Sequence, residues 1–493
     1  MRLLLAILGF CTCVVAPRPA HGQSSDDSDE PEAVVLPTLE NVGEPVESDE
    51  ESPADSSERV DADAIDRRAS WRLDEALSWL VGAQPVDQSS TSTAMIVEGL
   101  PASQLEVVSD GLPVARPVGG PDGPATDLSA QEVSTQSVES LELHRGLGPL
   151  GSGPASGVVV SVDRGFMPDG TSASIRGSGQ AAPMHLGQTP YHSLRGAAAG
   201  HHSFDSDWAL GVEAGVDRRA SVDVNDDGIT DLSDRHLYRG TLRTQWRKRD
   251  DEGLRLRADY NQNAVDAPIG PASQLQDLVR TRRGAVAARG KWRPATLWTL
   301  EHKSQFDVYN HRFSKRVLQS DFERLKSDTT QYRTVHDVSA TRLTGLHELG
   351  AELYGAVERI ERTGETGSLE PVDRVHVGVS LADTWMPTED IELRARAWGD
   401  YHNDFGPGYM ADLSAGWRVA EPVLLRASGA RTRRLPTAEE MFLFFDHSEV
   451  GYQVQGNDAL EPETMLSARA GVALGDASWP ARLEVDGYVH SLK

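Results

Sequence analysis

Beyond Gly165 apolar and polar residues take turns with a period of two, segment after segment. Leu254, Leu256, Ala258 and Tyr260 alternate with Arg255, Arg257 and Asp259, and Ile391, Leu393, Ala395 and Ala397 alternate with Glu392, Arg394 and Arg396. Val375, Val377, Val379 and Leu381, and later Leu466, Ala468, Ala470, Val472 and Leu474, repeat the spacing. Successive side chains of a strand point to opposite faces, so each run predicts a strand with one apolar face. A single run fits a half-buried strand of a soluble sandwich equally well. The whole set predicts a transmembrane antiparallel β-barrel whose apolar faces meet lipid. Trp246, Tyr260, Trp292, Trp385, Tyr401, Trp417 and Tyr488 lie near segment ends and suit the aromatic girdles of such a barrel.

Upstream the period changes. Ile65, Ala69, Leu73, Ala76, Leu77 and Leu80 recur at steps of three and four, which predicts a short amphipathic helix within Asp61 to Leu80. Residues 94 to 162 then give four or five short strands divided by Gly, Pro and Asp turns, with Gly99 and Gly111 free to take positive φ. Together these form a small α/β domain.

The same region carries motifs. It reads Ile96-Val97-Glu98-Gly99-Leu100, then Leu105 to Val114 with Asp110-Gly111-Leu112-Pro113, then Val138 to Gly146, then Gly151 to Val162. In order and spacing this resembles the plug of TonB-dependent outer-membrane receptors, with Glu98 where the family commonly has Arg and Ser161-Val162 where it commonly ends Asn-Ile. Leu73 to Gly82 resembles the helix that precedes the first plug strand, with Val81 in place of Pro. Leu435 to Met441 and Gly456 to Thr464 resemble segments of the receptors' later barrel strands, with Asp458 in place of Pro. The resemblance implies a barrel of the 22-stranded class filled by an N-terminal plug. The roughly 330 residues after the plug make about 14 to 16 strands at ~10 residues per strand plus turns, so a longer gene product is the expectation.

Composition agrees with that division. Arg2 followed by the apolar run Leu3 to Val15, with small residues before Gln23, predicts a signal peptide over 1–22. Both cysteines, Cys11 and Cys13, fall inside it, so the mature chain has no disulfide or thiolate metal site. The run is shorter than the ~20 residues of a membrane-spanning helix. From Ser24 to Asp66 there are 16 Asp and Glu against Arg59 alone, which predicts an acidic disordered tail over 23–60. The plug is expected over 61–164 and the barrel over 165–493. A net charge of −27 argues against nucleic-acid partners. Only 39% of residues are hydrophobic, which suits a barrel with polar lumen and loops.

Three constellations bear on chemistry. Asp223-Val224-Asn225-Asp226-Asp227-Gly228 begins like a calcium loop: side-chain oxygens of Asp223, Asn225 and Asp227 and the Ile229 carbonyl would converge on Ca2+, with Asp231 and Asp234 completing the set. An acidic solvated turn is the other reading of the same residues. In the tail, Val34, Val35 and Leu36 after Glu32 form the apolar β-branched patch that could pair as a strand with an energising periplasmic protein, the TonB box of the family. A simple apolar interruption of the tail fits them too. His185, His192, His201 and His202 match no ligand template and read as solvated histidines. No phosphate loop, HExxH or nucleophile elbow supports an enzyme.

The resemblance therefore implies energised uptake of a scarce, large nutrient of the ferric siderophore or cobalamin class across the outer membrane of a Gram-negative bacterium. Its partners would be lipid, a TonB-type protein of the inner membrane and a small-molecule or metal-chelate substrate. A secreted or surface calcium-binding β-protein and a passive porin are the competing readings.

Overall fold

The structure is a computed structural model. It describes residues 54, 57–67, 70, 72–78, 80, 83–87, 93–100, 102–114, 133, 135, 137–154, 157–182, 191–204, 207–221, 234–249, 252–268, 275–317, 320, 322–365, 369–442, 444–447, 452–475 and 483–493. The candidate tail segment at Glu32 to Leu36 lies outside these.

The plug holds strand β1 (Glu58–Asp61), helices α1 (Ala62–Arg67) and α2 (Leu73–Leu77), and strands β2 (Ala83–Asp87), β3 (Thr93–Val97), β4 (Leu105–Ser109), β5 (Leu112–Pro113), β6 (Ser140–Arg145) and β7 (Val158–Asp163). Its main sheet runs β1-β6-β7-β4-β5, with β7 parallel to β4 and antiparallel to β6. β7 is central and covered on both sides, so Val158, Val159, Val160 and Val162 are all buried. They share a core with Ile65, Leu73, Leu77, Met95, Leu141 and Leu143, or abut it.

Two expectations are corrected here. The single helix expected within Asp61 to Leu80 is two short helices, because the apolar positions before and after Ser70 turn into the same core from separate segments. Second, the expected tail–plug boundary at 60/61 falls inside β1, whose residues pair with β6 from Glu58↔Leu143 to Asp61↔Ser140.

Among the described residues, the chain after the plug forms one large antiparallel sheet of fifteen strands, within the expected range. In chain order these are β8 (Thr171–Ala182), β9 (Tyr191–Ser203), β10 (Trp208–Arg219), β11 (Asp234–Arg247), β12 (Gly253–Pro268), β13 (Leu275–Ala295), β14 (Trp298–Val317) and β15 (Phe322–Thr344). They continue as β16 (His347–Thr363), β17 (Leu369–Thr388), β18 (Ile391–His402), β19 (Gly406–Ala420) and β20 (Val423–Arg434). Helix α3 (Ala438–Phe442) and the small hairpin β21 (Phe444–His447) and β22 (Tyr452–Gln455) intervene before β23 (Glu463–Leu474) and β24 (Leu483–Leu492). β8 and β24 are the two ends of the sheet, and among the described residues they are not paired with each other.

The alternation read in the sequence is the alternation of the wall. Along β17 Val377, Val379 and Leu381 face outward, Leu381 being 63% exposed, while Ser380 between them is fully buried. Strands such as the 23-residue β15 exceed the ~9–11 residues that cross a bilayer, so the wall extends beyond the hydrocarbon. Among the described residues no helix is long and apolar enough to cross a membrane.

The two rims differ. One carries the two-residue turns at 296–297, 345–346, 389–390 and 421–422, with longer connections at 248–252 and 475–482; the other carries the connections 183–190, 220–233 and 435–462, the last of which holds α3, β21 and β22. Short turns on one side and longer loops on the other are the usual asymmetry of outer-membrane barrels. Trp208, Trp246, Trp292, Trp298, Trp385 and Trp417 lie toward the short-turn rim, whereas Tyr238, Tyr401 and Tyr409 lie toward the long-loop rim.

Candidate functional site

The plug meets the barrel wall through turns that its sequence dictates. Glu98-Gly99 and Asp110-Gly111 each hold positive φ at both positions, near 51° and 77° and near 51° and 79°. This is the type I′ pattern that matches the twist of a hairpin. The backbone confirms it for the first turn, with Leu100 N–H donating to the Val97 carbonyl at 2.8 Å and Val97 N–H to that of Leu100 at 3.2 Å. Each turn therefore presents a carboxylate at its tip. Glu98 accepts from Arg145 Nε at 2.6 Å within the plug and from Arg469 Nη1 of β23 at 2.9 Å, while Arg145 also pairs with Glu58 of β1.

Asp110 accepts from the Arg164 backbone N–H at 3.0 Å and from Arg257 of β12. Burial alone would raise the Asp110 carboxyl, but the guanidiniums of Arg257, Arg164, Arg255 and Arg289 outweigh it and hold the group well below the usual carboxylate range.

A third contact forms around the run Gly146-Leu147-Gly148-Pro149-Leu150-Gly151-Ser152-Gly153 between β6 and β7. Arg396 of β18 donates from Nη1 to the carbonyls of Leu147, Gly148 and Pro149 at 3.2, 2.8 and 3.0 Å, and from Nη2 to Glu352 of β16 at 2.6 Å. Glu352 in turn accepts the Gly153 N–H at 3.0 Å, and Lys303 of β14 donates to the Gly151 carbonyl at 2.8 Å. Gly153 has φ +75°, and a Cβ there would sit 2.8 Å from the Tyr354 ring. Only glycine lets the turn lie this close to the wall.

The two later sequence motifs converge. Thr437 and Glu440 form a reciprocal cap on α3, with Thr437 N–H donating to Glu440 Oε2 at 2.8 Å and Glu440 N–H donating to Thr437 Oγ1 at 3.2 Å. Arg434 at the end of β20 then donates to Glu440 at 2.8 Å and to Glu463 at 2.8 and 2.9 Å. Gln104 of the plug reaches Glu463 at 2.9 Å. The separated motifs are thus two halves of one joint holding the wall to the plug.

Above the glycine turn, toward the long-loop rim, the plug and wall enclose a cavity of about 170 Å³. Val114 and Pro154 of the plug face Arg333, Tyr354, His376, His402 and Met410 of the wall across it. The rings form a continuous flank: Tyr354 meets His376 edge-on with centroids 5.6 Å apart, and His376 lies 5.5 Å from His402.

Most charges here are matched. His376 Nε2 bonds Asp400 at 2.8 Å, Arg433 faces Asp400 at 3.4 Å, and Arg374 pairs with Asp404 at 3.1 Å and Glu358 at 3.4 Å. Arg333 differs. Among the described residues its hydrogen bonds go to neutral atoms, the Tyr354 hydroxyl at 3.4 Å and the Pro113 carbonyl at 3.5 Å, while the carboxylates of Glu106 and Glu358 line the same cavity. A planar cation with weak neutral hydrogen bonds, in a cavity that also holds aromatic rings, is suited to an anionic ring-bearing ligand.

Of the residues singled out in the sequence, Asp223, Asn225, Asp227, Ile229 and Asp231 lie outside the described residues. Asp234 opens β11, with Oδ1 3.3 Å from His236 Nε2 and Asp266 opposite it in the ladder. His201 and His202 are consecutive in β9 and so point to opposite faces; they bond Ser172 Oγ at 2.8 Å and Thr171 Oγ1 at 2.6 Å. The sequence reading missed Glu352, Arg396, Arg333 and Tyr354. Their signal was present in the inward-facing charges of the alternating strands, but nothing in the pattern says which plug segment they meet.

A family model described as TonB dependent receptor-like, beta-barrel, matches residues 181–489, and one described as TonB-dependent Receptor Plug Domain matches residues 49–158. No curated protein sequence matches the chain. Among solved structures, the siderophore receptor PirA from Acinetobacter baumannii is similar with a TM-score of 0.71 at 12% identity, covering 89% of this chain and 71% of that chain. The ferric enterobactin receptor PfeA of Pseudomonas aeruginosa gives 0.72 at 14% identity, covering 90% and 72%. The copper transporter OprC gives 0.66 at 13%, covering 90% and 72%. At such identities the likeness speaks for the fold.

Proposed function

Since the chain belongs to the TonB-dependent receptor family, we propose that it captures an anionic metal chelate of the ferric siderophore class at the outer membrane of a Gram-negative bacterium and releases it to the periplasm. Energy would arrive through a TonB-type inner-membrane protein gripping the tail at Val34 to Leu36. The observation that carries the substrate class is Arg333, which lines the plug–wall cavity together with Tyr354 and His376 and whose hydrogen bonds among the described residues go to neutral atoms. That setting favours a charged, aromatic chelate over cobalamin.

The test is direct binding of a ferric tris-catecholate to the purified receptor. A charge-assisted hydrogen bond contributes about 1.5–3 kcal/mol, so Arg333→Ala should weaken binding about ten- to hundredfold, with Arg333→Lys recovering part of it. Equal affinity in wild type and Arg333→Ala would remove the assignment.

Calcium is proposed for the 223–234 loop, where it would order the connection between β10 and β11. Calorimetry should give saturable binding in the low-millimolar range or tighter, lost in the Asp223→Ala, Asp227→Ala double variant. A titration unchanged by the double substitution would leave the acidic turn without a metal.

A further inference from the structure

We infer that Glu352 and Arg396 form a latch that keeps the plug's glycine turn seated, and that Tyr354 ties this latch to the cavity. The inference rests on the uptake reading above only for what fills the cavity.

The latch is a buried pair closed onto main-chain atoms. The Glu352 and Arg396 side chains are 0% and 6% exposed. One nitrogen of Arg396 serves three successive carbonyls of the turn, and Glu352 takes the N–H at the turn's far end. Ser380, opposite Glu352 in the β16–β17 ladder, accepts Arg396 Nε at 2.8 Å and fixes the guanidinium between strands. A main-chain grip of this kind has two states: seated, with Glu352 and Arg396 both bonded to the turn and to each other, or withdrawn, with both charges needing new partners.

The link to the cavity is geometric. Tyr354 stands two residues after Glu352 on β16, so both side chains face the lumen. Its ring touches Gly153, the residue whose N–H Glu352 holds. The same ring meets His376 in the cavity and Trp398 edge-on at 6.0 Å, and Trp398 is two residues after Arg396 on β18. The hydroxyl accepts from Arg333, the cation assigned to the chelate. A ligand that draws Arg333 away or presses on the Tyr354 ring therefore acts on the residue against which Gly153 is packed.

Hydrogen–deuterium exchange of the 146–157 segment in the full-length receptor, with ferric tris-catecholate binding measured in parallel by calorimetry, tests this. In wild type, chelate should speed exchange of that segment about tenfold, the scale of one lost charge-assisted hydrogen bond. Glu352→Gln and Arg396→Lys should show fast exchange there without ligand and no further rise with it, while barrel strands stay protected. Tyr354→Phe, which keeps the ring against Gly153 and removes the hydroxyl that meets Arg333, should keep slow basal exchange and weaken the ligand-induced rise. Chelate binding that leaves wild-type exchange unchanged overturns the coupling and leaves the uptake reading standing. A Glu352→Gln turn as protected as wild type overturns the latch. Absence of chelate binding overturns the uptake reading and the coupling with it, and the basal exchange of the variants still decides the latch.

Discussion

Val35→Pro should abolish energised uptake while chelate still binds at the cell surface. Proline lacks the N–H that an added strand donates and is excluded from the interior of a ladder. Strand addition depends on that ladder for its affinity. Val34 to Leu36 is the apolar β-branched patch of the acidic tail, and the chain beyond the tail enters the plug through β1, an edge strand of four residues. A partner that cannot hold the tail cannot load β1. Labelled chelate separates the two steps, since surface binding at low temperature should match wild type while accumulation falls to background. Accumulation at the wild-type rate would take the coupling segment away from these residues.

Gly157→Val should unseat the plug. Gly157 has φ +83°, and a Cβ there would lie 2.7 Å from the Gln104 carbonyl oxygen, a main-chain atom that cannot swing aside. Holding a non-glycine residue in that region costs about 1–3 kcal/mol, and forcing extra volume into packed structure costs about 1–3 kcal/mol more. The Gly157 carbonyl also accepts the Gly146 N–H at 2.9 Å, closing the base of the glycine turn, so displacement there propagates to the contacts of Arg396 and Lys303. Thermal unfolding should show the plug melting well below wild type, and cells should admit large antibiotics that the intact receptor excludes. Gly355→Ala is the control, because a Cβ there meets nothing within 4 Å; its stability should stay within about 0.5 kcal/mol of wild type. A Gly157→Val receptor as stable and as impermeable as the control would refute the close approach.

What the sequence could disclose followed from local rules. Period-two runs such as Val375 to Leu381 marked strands and even the outward face, because alternation is a property of one strand alone. The Glu98-Gly99 and Asp110-Gly111 pairs announced turns, because positive φ is a local requirement. The candidate site was not legible for the opposite reason. Glu352, Ser380 and Arg396 come from three strands, and they meet only through the register that sets Glu352 against Ser380. Arg434 explains why Leu435 to Met441 and Gly456 to Thr464 occur together, yet no spacing rule predicts that one guanidinium joins them. The amphipathic stretch at the start of the plug reads as one helix because two short segments facing a common core produce the same periodicity as one continuous helix.

The distribution of aromatic residues gives the molecule an optical polarity. With outward indoles at the short-turn rim and phenols at the opposite rim among the described residues, the two leaflets of a membrane are in contact with different chromophores. Quenchers confined to one monolayer would dim the lipid-facing tryptophans from that side only, so the sidedness of insertion can be read from emission without any label.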